Sequence, residues 1–244
     1  MRTLTRIDLA NHRWLSLVVA CLLLAACGPL GMAEKEDRMR PTTIRYLALG
    51  DSYTIGEKVP AQERWPVQLA ERLRAKGITV EGPEIIAKTG WTTADLSAAL
   101  ETANPQGPYD LVTLLIGVNN QYRGQELAAY RQAFRALLAR AVELAGGEAE
   151  RVVVLSIPDW GATPYGFSRK RDRISAEIDA FNVANREETE AAGAYYVDIT
   201  PLSRQDAADR TLVASDGLHP SGLMYGQWVD LAWPVVVAAL GIPE

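Results

Sequence analysis

Along most of this chain the apolar positions switch between two spacings. Residues 44–49, 78–87, 111–116, 152–157 and 194–197 are short runs rich in Val, Ile, Leu and Tyr, each of strand length. The second run is interrupted at Gly82-Pro83, and the third is apolar on both faces, as a strand inside a covered parallel sheet must be. Between the runs the spacing becomes helical. Trp65, Leu69 and Leu73 recur every four residues, with Pro66 suited to a first turn and Gly77 to a stop. Thr92 or Thr93 is placed to cap a short helix through Leu96 and Leu100. Leu127, Tyr130, Phe134, Leu137, Leu138, Ala141 and Val142 trace an apolar stripe that stops at Gly146-Gly147. Ile174, Ile178 and Phe181 mark a further helix ended by Gly193. A last helix runs from Ser221 to about residue 239, with a kink expected at Pro234.

Strands separated by helical crossovers predict an α/β fold: a three-layer α/β/α, flavodoxin-like sandwich around a five-stranded parallel sheet of order 2-1-3-4-5. Ligands of such sheets bind beyond the carboxyl ends of the strands, where the strand order reverses. That point lies between the first and third strands.

The first 27 residues stand apart. Arg2, Arg6 and Arg13 precede an apolar run at 14–26, the shape of a secretory signal and too short to span a bilayer comfortably. The run closes on Leu24-Ala25-Ala26-Cys27, which resembles the bacterial lipobox; that resemblance implies lipidation of Cys27 and attachment to the cell envelope on its periplasmic side. Gly28 after the cysteine resembles an outer-membrane sorting signal. Residues 28–43 are polar and charged, a tether with a reach of roughly 20–24 Å, ahead of one domain at 44–244. The 244 residues carry a formal charge of −5, and without the leader 22 basic residues face 29 acidic ones, near −7. No basic excess invites nucleic acid. Both cysteines, Cys21 and Cys27, fall within the leader, so no disulfide can form in the domain. His219 is the domain's single histidine, which argues against a zinc site of the usual nitrogen and sulfur ligands.

The chemistry-bearing residues gather after the strands. The first strand empties into Gly50-Asp51-Ser52, the second into Lys88-Thr89-Gly90-Trp91, and the third into Gly117-Val118-Asn119-Asn120. Asp216-Gly217-Leu218-His219-Pro220 precedes the last helix. These four blocks, in this order over roughly 44–241, resemble the GDSL esterase/lipase family of the SGNH hydrolase superfamily. The Gly-x-Ser-x-Gly elbow of α/β-hydrolases is absent at Ser52. The resemblance implies the SGNH hydrolase fold, with Ser52 as nucleophile, Asp216 and His219 completing a triad, and an oxyanion hole of Ser52, Gly90 and Asn119. It implies no metal and no organic cofactor.

The residues suit those roles. A serine hydroxyl needs a base to take its proton, and His219 is the one histidine available. Asp216, three residues upstream, can hold the imidazole and fix its tautomer; Asp159 and Asp198, at predicted strand ends, are the alternatives. Glycine at 90 leaves room for close approach of substrate. Asp51 is assigned to turn support. The family usually has Asp where this chain has Asn120, a departure that bears on loop geometry. Trp91, Tyr122, Trp160 and Tyr165, with Tyr225, are candidates for lining an acyl or sugar pocket. No long apolar lid segment is visible, which favours short acyl groups and a small-molecule or carbohydrate ester, acetyl-type above all. The alternatives are a lysophospholipase or thioesterase for long chains, and a lipoprotein that uses the fold only to bind a ligand.

Overall fold

The computed structural model describes residues 43–207 and 209–242, so the leader, most of the tether and Cys27 lie outside the described residues. Thr43, expected to end the tether, already belongs to the first strand. In chain order the elements are β1 (Thr43–Gly50), α1 (Ser52–Ile55), α2 (Trp65–Ala75), β2 (Thr79–Ala87), α3 (Thr93–Ala103), β3 (Leu111–Leu115), α4 (Val118–Tyr122) and α5 (Leu127–Leu144). After them come β4 (Val152–Leu155), α6 (Arg171–Ala191), β5 (Tyr195–Val197), α7 (Thr200–Ser203) and α8 (Gly222–Ala239), with several single turns of tighter helix between.

The five strands form one parallel sheet in the order β2-β1-β3-β4-β5, the predicted arrangement. β1 is buried continuously from Tyr46 to Gly50, and all of β3 and β4 are buried, because helices cover both faces. α2 packs on α8, while α3 and α6 pack on α5. Trp65 and Trp228 are fully buried in the α2 and α8 layer, and Tyr130 stacks on Phe181 between α5 and α6 with ring centroids 4.4 Å apart. Glu188 clamps the same helix pair, accepting from Arg135 Nη2 at 2.8 Å and from Arg131 at 3.4 Å. α8 continues past Pro234 to Ala239 as one helix.

β2 differs from the interrupted strand that Gly82-Pro83 predicts. The strand continues, and the two residues are absorbed as a register shift: Arg45 pairs with Glu81, and Leu47 with Glu84. β2 is the sheet edge, where a bulge and a proline without an N–H donor are tolerated.

The register of the central strands sets the site. Gly50 pairs with Ala87 on one side and with Leu115 on the other, so three strands end flush. Everything after those residues therefore leaves the sheet along one line. Gly117 makes the sharpest exit, at φ +131°, where a Cβ would lie 2.4 Å from the Tyr130 hydroxyl and 2.7 Å from Ile157. Tyr130 has no room to yield, since its hydroxyl donates to Asn185 Oδ1 at 2.6 Å. Gly117→Ala is expected to cost at least about 2 kcal/mol of stability, strain and overlap combined. A urea unfolding midpoint within error of the parent would refute this.

Candidate active site

Each block of the site is positioned by its own local structure. Asp51, fully buried, follows β1 and caps α1 by accepting the Tyr53 N–H at 3.0 Å, which leaves Ser52 as the first helical residue, 5% exposed. Thr92 caps α3 through a reciprocal capping box with Asp95, so the preceding Thr89-Gly90-Trp91 turn is held against a fixed helix start. α4 follows Gly117 and carries Asn119 and Tyr122.

His219 comes from a small antiparallel turn. Val213 bridges Pro220, the Ala214 N–H donates to the His219 carbonyl at 2.8 Å, and the Ser221 N–H to the Leu212 carbonyl at 2.8 Å. α8 starts at Gly222 behind a Ser221 cap, so His219 lies in the turn ahead of the helix. Within the turn one oxygen of Asp216 accepts the Leu218 and His219 N–H groups, both at 3.0 Å. The other lies 2.6 Å from His219 Nδ1. Burial pushes the Asp216 carboxyl upward, but the bonds from the imidazole and the two backbone N–H groups outweigh it and hold the group below its usual range. The carboxylate is thus charged and aimed, and it leaves Nε2 as the free ring nitrogen.

Ser52, Thr89, Gly90, Asn119 and His219 open together on one cavity of about 220 Å³, closed by Tyr53, Val118, Tyr122, Trp160, Tyr165 and Leu218. The structure therefore brings four of the five expected residues, Ser52, Gly90, Asn119 and His219, to one cavity and joins the fifth, Asp216, to His219. It forms no hydrogen bond between the Ser52 and His219 side chains, which meet only across the cavity. The alternative acids face elsewhere. Asp159 pairs with Arg204 at 3.0 Å and caps Gly161, and Asp198 pairs with Arg186 at 3.0 Å and accepts from Ser156.

Four hydrogen bonds tie the two loops together. Asn119 Nδ2 donates one hydrogen to the Trp91 carbonyl at 2.9 Å, leaving its second for the cavity. Arg123 donates to the Gly90 carbonyl at 2.7 Å. Asn120, nearly fully buried, accepts the Thr93 N–H at 3.1 Å and donates to Thr93 Oγ1 at 2.8 Å and to Gln125. Asn120 thus both accepts and donates, where an ionised aspartate could only accept. Glycine at 90 has a backbone reason besides the room it leaves for substrate. A Cβ there would come no nearer than 3.9 Å to anything, but φ is +84°.

Of the aromatic candidates, Tyr122, Trp160 and Tyr165 line the cavity. Trp160 is braced by Gln121 through its Nε1 at 2.7 Å, and Tyr122 meets it edge-on with centroids 5.4 Å apart. Two expectations are corrected. Trp91 is not in the lining: its ring packs on the core while its carbonyl serves Asn119. Tyr225 is wholly buried between α8 and the sheet because the helix turns it inward. The sequence reading also missed Tyr53, whose ring faces His219 at 5.5 Å, and Glu57. The Glu57 carboxyl is bonded by the Thr89 hydroxyl and lies near enough to feel a charge on His219. The Thr89 bond is the larger reason that it sits below its usual range; the His219 and Lys58 charges add to it against a burial cost. Tyr53 is visible only as the neighbour of Ser52, and Glu57 carries no sequence signal.

Residues 48–226 match the GDSL-like Lipase/Acylhydrolase family. Among solved structures, TesA superposes with a TM-score of 0.64 at 19% identity, over 80% of this chain and 99% of its own. Axe2, an acetylxylan esterase from Geobacillus stearothermophilus, gives 0.58 at 17%, over 82% and 95%. The psychrotrophic esterase EstA from Pseudoalteromonas sp. gives 0.59 at 19%, over 81% and 98%. At such identities these likenesses establish the fold. No curated protein matches the chain in sequence.

The buried Asp51 supplies a pH signature. Burial raises its carboxyl, against the bond from Tyr53, to about 7 from an ordinary 3.8. The stability it contributes is complete below pH 4 and is lost as pH climbs through 7, by as much as about 4 kcal/mol. Asp51→Asn keeps an acceptor for Tyr53 and removes the titration, so its unfolding free energy should decline less than the parent's between pH 4 and 8. Parallel curves in urea unfolding at stepped pH would exclude this.

Proposed function

The chain belongs to the GDSL-like lipase/acylhydrolase family and is a serine ester hydrolase of SGNH type, and from that premise we propose that it removes short acyl groups through Ser52, His219 and Asp216. The observation that carries the reading is the Asp216–His219 pair at 2.6 Å, opening with Ser52, Gly90 and Asn119 on a single cavity.

In this reading His219 Nε2 takes the Ser52 proton as Oγ attacks the ester carbonyl. Asp216 keeps the ring in the tautomer that can do so and stabilises the imidazolium that forms. The tetrahedral oxyanion meets the N–H groups of Ser52 and Gly90 and the free Asn119 amide hydrogen; each such donor is worth about 3–4 kcal/mol in the transition state. Collapse breaks the ester C–O bond and His219 returns the proton to the leaving alcohol. Water then repeats the sequence on the acyl-serine with His219 again as base.

Acyl length follows from the space. A cavity of about 220 Å³ falls below the roughly 300–1,000 Å³ of pockets that enclose drug-sized ligands, and Trp160 and Leu218 are among the side chains that line it. An acetyl or slightly longer group suits it better than a fatty chain, which favours the short-acyl reading over the lysophospholipase and thioesterase ones. That Axe2 is an acetylxylan esterase is in keeping with an acetylated carbohydrate as substrate. The presence of all five residues disfavours a purely ligand-holding role.

On p-nitrophenyl esters we expect turnover highest on acetate and falling with chain length, lost with Ser52→Ala. His219→Ala should lower kcat by about 10³-fold or more, since no second histidine lies among the described residues. Rates that rise with acyl length would overturn the short-acyl reading, and near-parental turnover in His219→Ala would overturn the triad. We also propose that the protein is held to the bacterial envelope by a lipid on Cys27. Cys27→Ser should move it from the membrane fraction to the soluble fraction; continued sedimentation with membranes would refute the anchor.

A further inference from the structure

Beside the cavity lies a group of cations that the fold does not require. Arg169, Lys170, Arg171 and Arg173 follow one another with Asp172 among them, all exposed, in a chain of net charge −5. They line a shallow groove of about 450 Å³. Arg173 is paired with Glu177 at 2.6 Å, but Arg169, Lys170 and Arg171 form no ion pair with any described residue. Positive charge ahead of α6 and in its first turn also works against that helix's dipole, so helix stability does not explain the run.

The run is joined to the site. The Arg169 guanidinium lies over the Tyr165 ring at 4.4 Å, donates to the Tyr165 hydroxyl at 2.7 Å, and stands 6.0 Å from the Trp160 ring. Tyr165 and Trp160 line the cavity that holds Ser52. On the same rim Tyr122 is 51% exposed, its hydroxyl 3.4 Å from that of Tyr165, and Phe167 is 50% exposed with Arg171 over its ring at 5.7 Å. A path therefore leads from the cavity mouth over flat aromatic surface to unpaired guanidinium and ammonium groups.

We propose that the part of the ester remaining outside the cavity is an acidic sugar, its ring lying on Tyr122 and Tyr165 and its carboxylate meeting Arg169, Lys170 and Arg171. The proposal rests on the esterase reading only for which bond is cut. The exposed Tyr122 ring matches the flat apolar face of a pyranose, with Tyr165, whose own ring carries Arg169, at its edge, and guanidinium groups bind carboxylates through paired, charge-assisted hydrogen bonds. A neutral sugar would leave the cations unused. An anionic membrane surface would use the cations and not the aromatic path into the cavity, which is why the sugar acid is favoured.

The test uses the full chain carrying Ser52→Ala and probes without an ester, trigalacturonate against neutral cellotriose, titrated by calorimetry. Trigalacturonate should bind at least about tenfold more tightly, with the preference collapsing at about 0.5 M salt and in the Lys170→Glu, Arg171→Glu double variant. Equal binding of the two sugars, or a preference untouched by the double variant with an unchanged melting temperature, overturns the proposal. So does binding to vesicles of phosphatidylglycerol and phosphatidylcholine that the double variant abolishes while trigalacturonate is ignored. Since the probes have no scissile ester, those failures leave the esterase reading intact, and absence of p-nitrophenyl acetate turnover with trigalacturonate still bound would defeat that reading alone.

Discussion

The pairing of β1 with β3 is the contact on which the site depends. In a parallel sheet of this order the first and third strands are neighbours although a whole strand and three helices separate them in the chain. Their backbones meet closely at the carboxyl end, where a Cβ on Gly50 would lie 2.4 Å from the Leu115 carbonyl and 2.2 Å from Thr54 Oγ1. Only a residue without a side chain lets the ladder run to its last rung and the chain turn into α1 at once. Ser52 and Asn119 are brought together by that rung, not by any bond between the two.

From there the site is built as a set of small fixed turns. The Gly90 loop is held from outside by Arg123 and from beneath by Asn119 and Asn120. The His219 turn is held by its own antiparallel bridge and by Asp216, whose two oxygens divide the work of shaping the backbone and aiming the ring. Little remains to be ordered when a substrate arrives. That is the condition under which donors aimed at an oxyanion are most effective, since no reorganisation is required at the moment of reaction.

How much of this was legible in the sequence follows physical lines. The strands and long helices were readable because burial imposes a period, and the capping signals at Thr92 and Ser221 mark starts that the backbone must satisfy. The switch point followed from the sheet order, and with it the meeting of Ser52, Gly90, Asn119 and His219. What was not legible depended on directions and not on spacing. Trp91 and Tyr225 were aromatic and near the right loops, yet which way each ring turned was decided by packing. The reason for glycine at 90 needed a dihedral angle. Arg123 and Glu57 act through long flexible side chains from outside the blocks, and nothing in their neighbours announces it. The basic run at 169–173 drew no reading from the sequence, because its nearness to the site is a property of the fold.

The aromatic rim and the histidine turn are stitched together by one backbone bond, from the Tyr165 N–H to the Gly217 carbonyl at 2.9 Å. Pro164 lies against the same glycine, 3.5 Å from where a Cβ would be. An inserted or deleted residue in the rim would drag His219 away from its place opposite Ser52. Evolution of new substrate preferences in this scaffold is therefore channelled into exchanges of side chain at fixed loop length, with the rim a palette rather than a hinge.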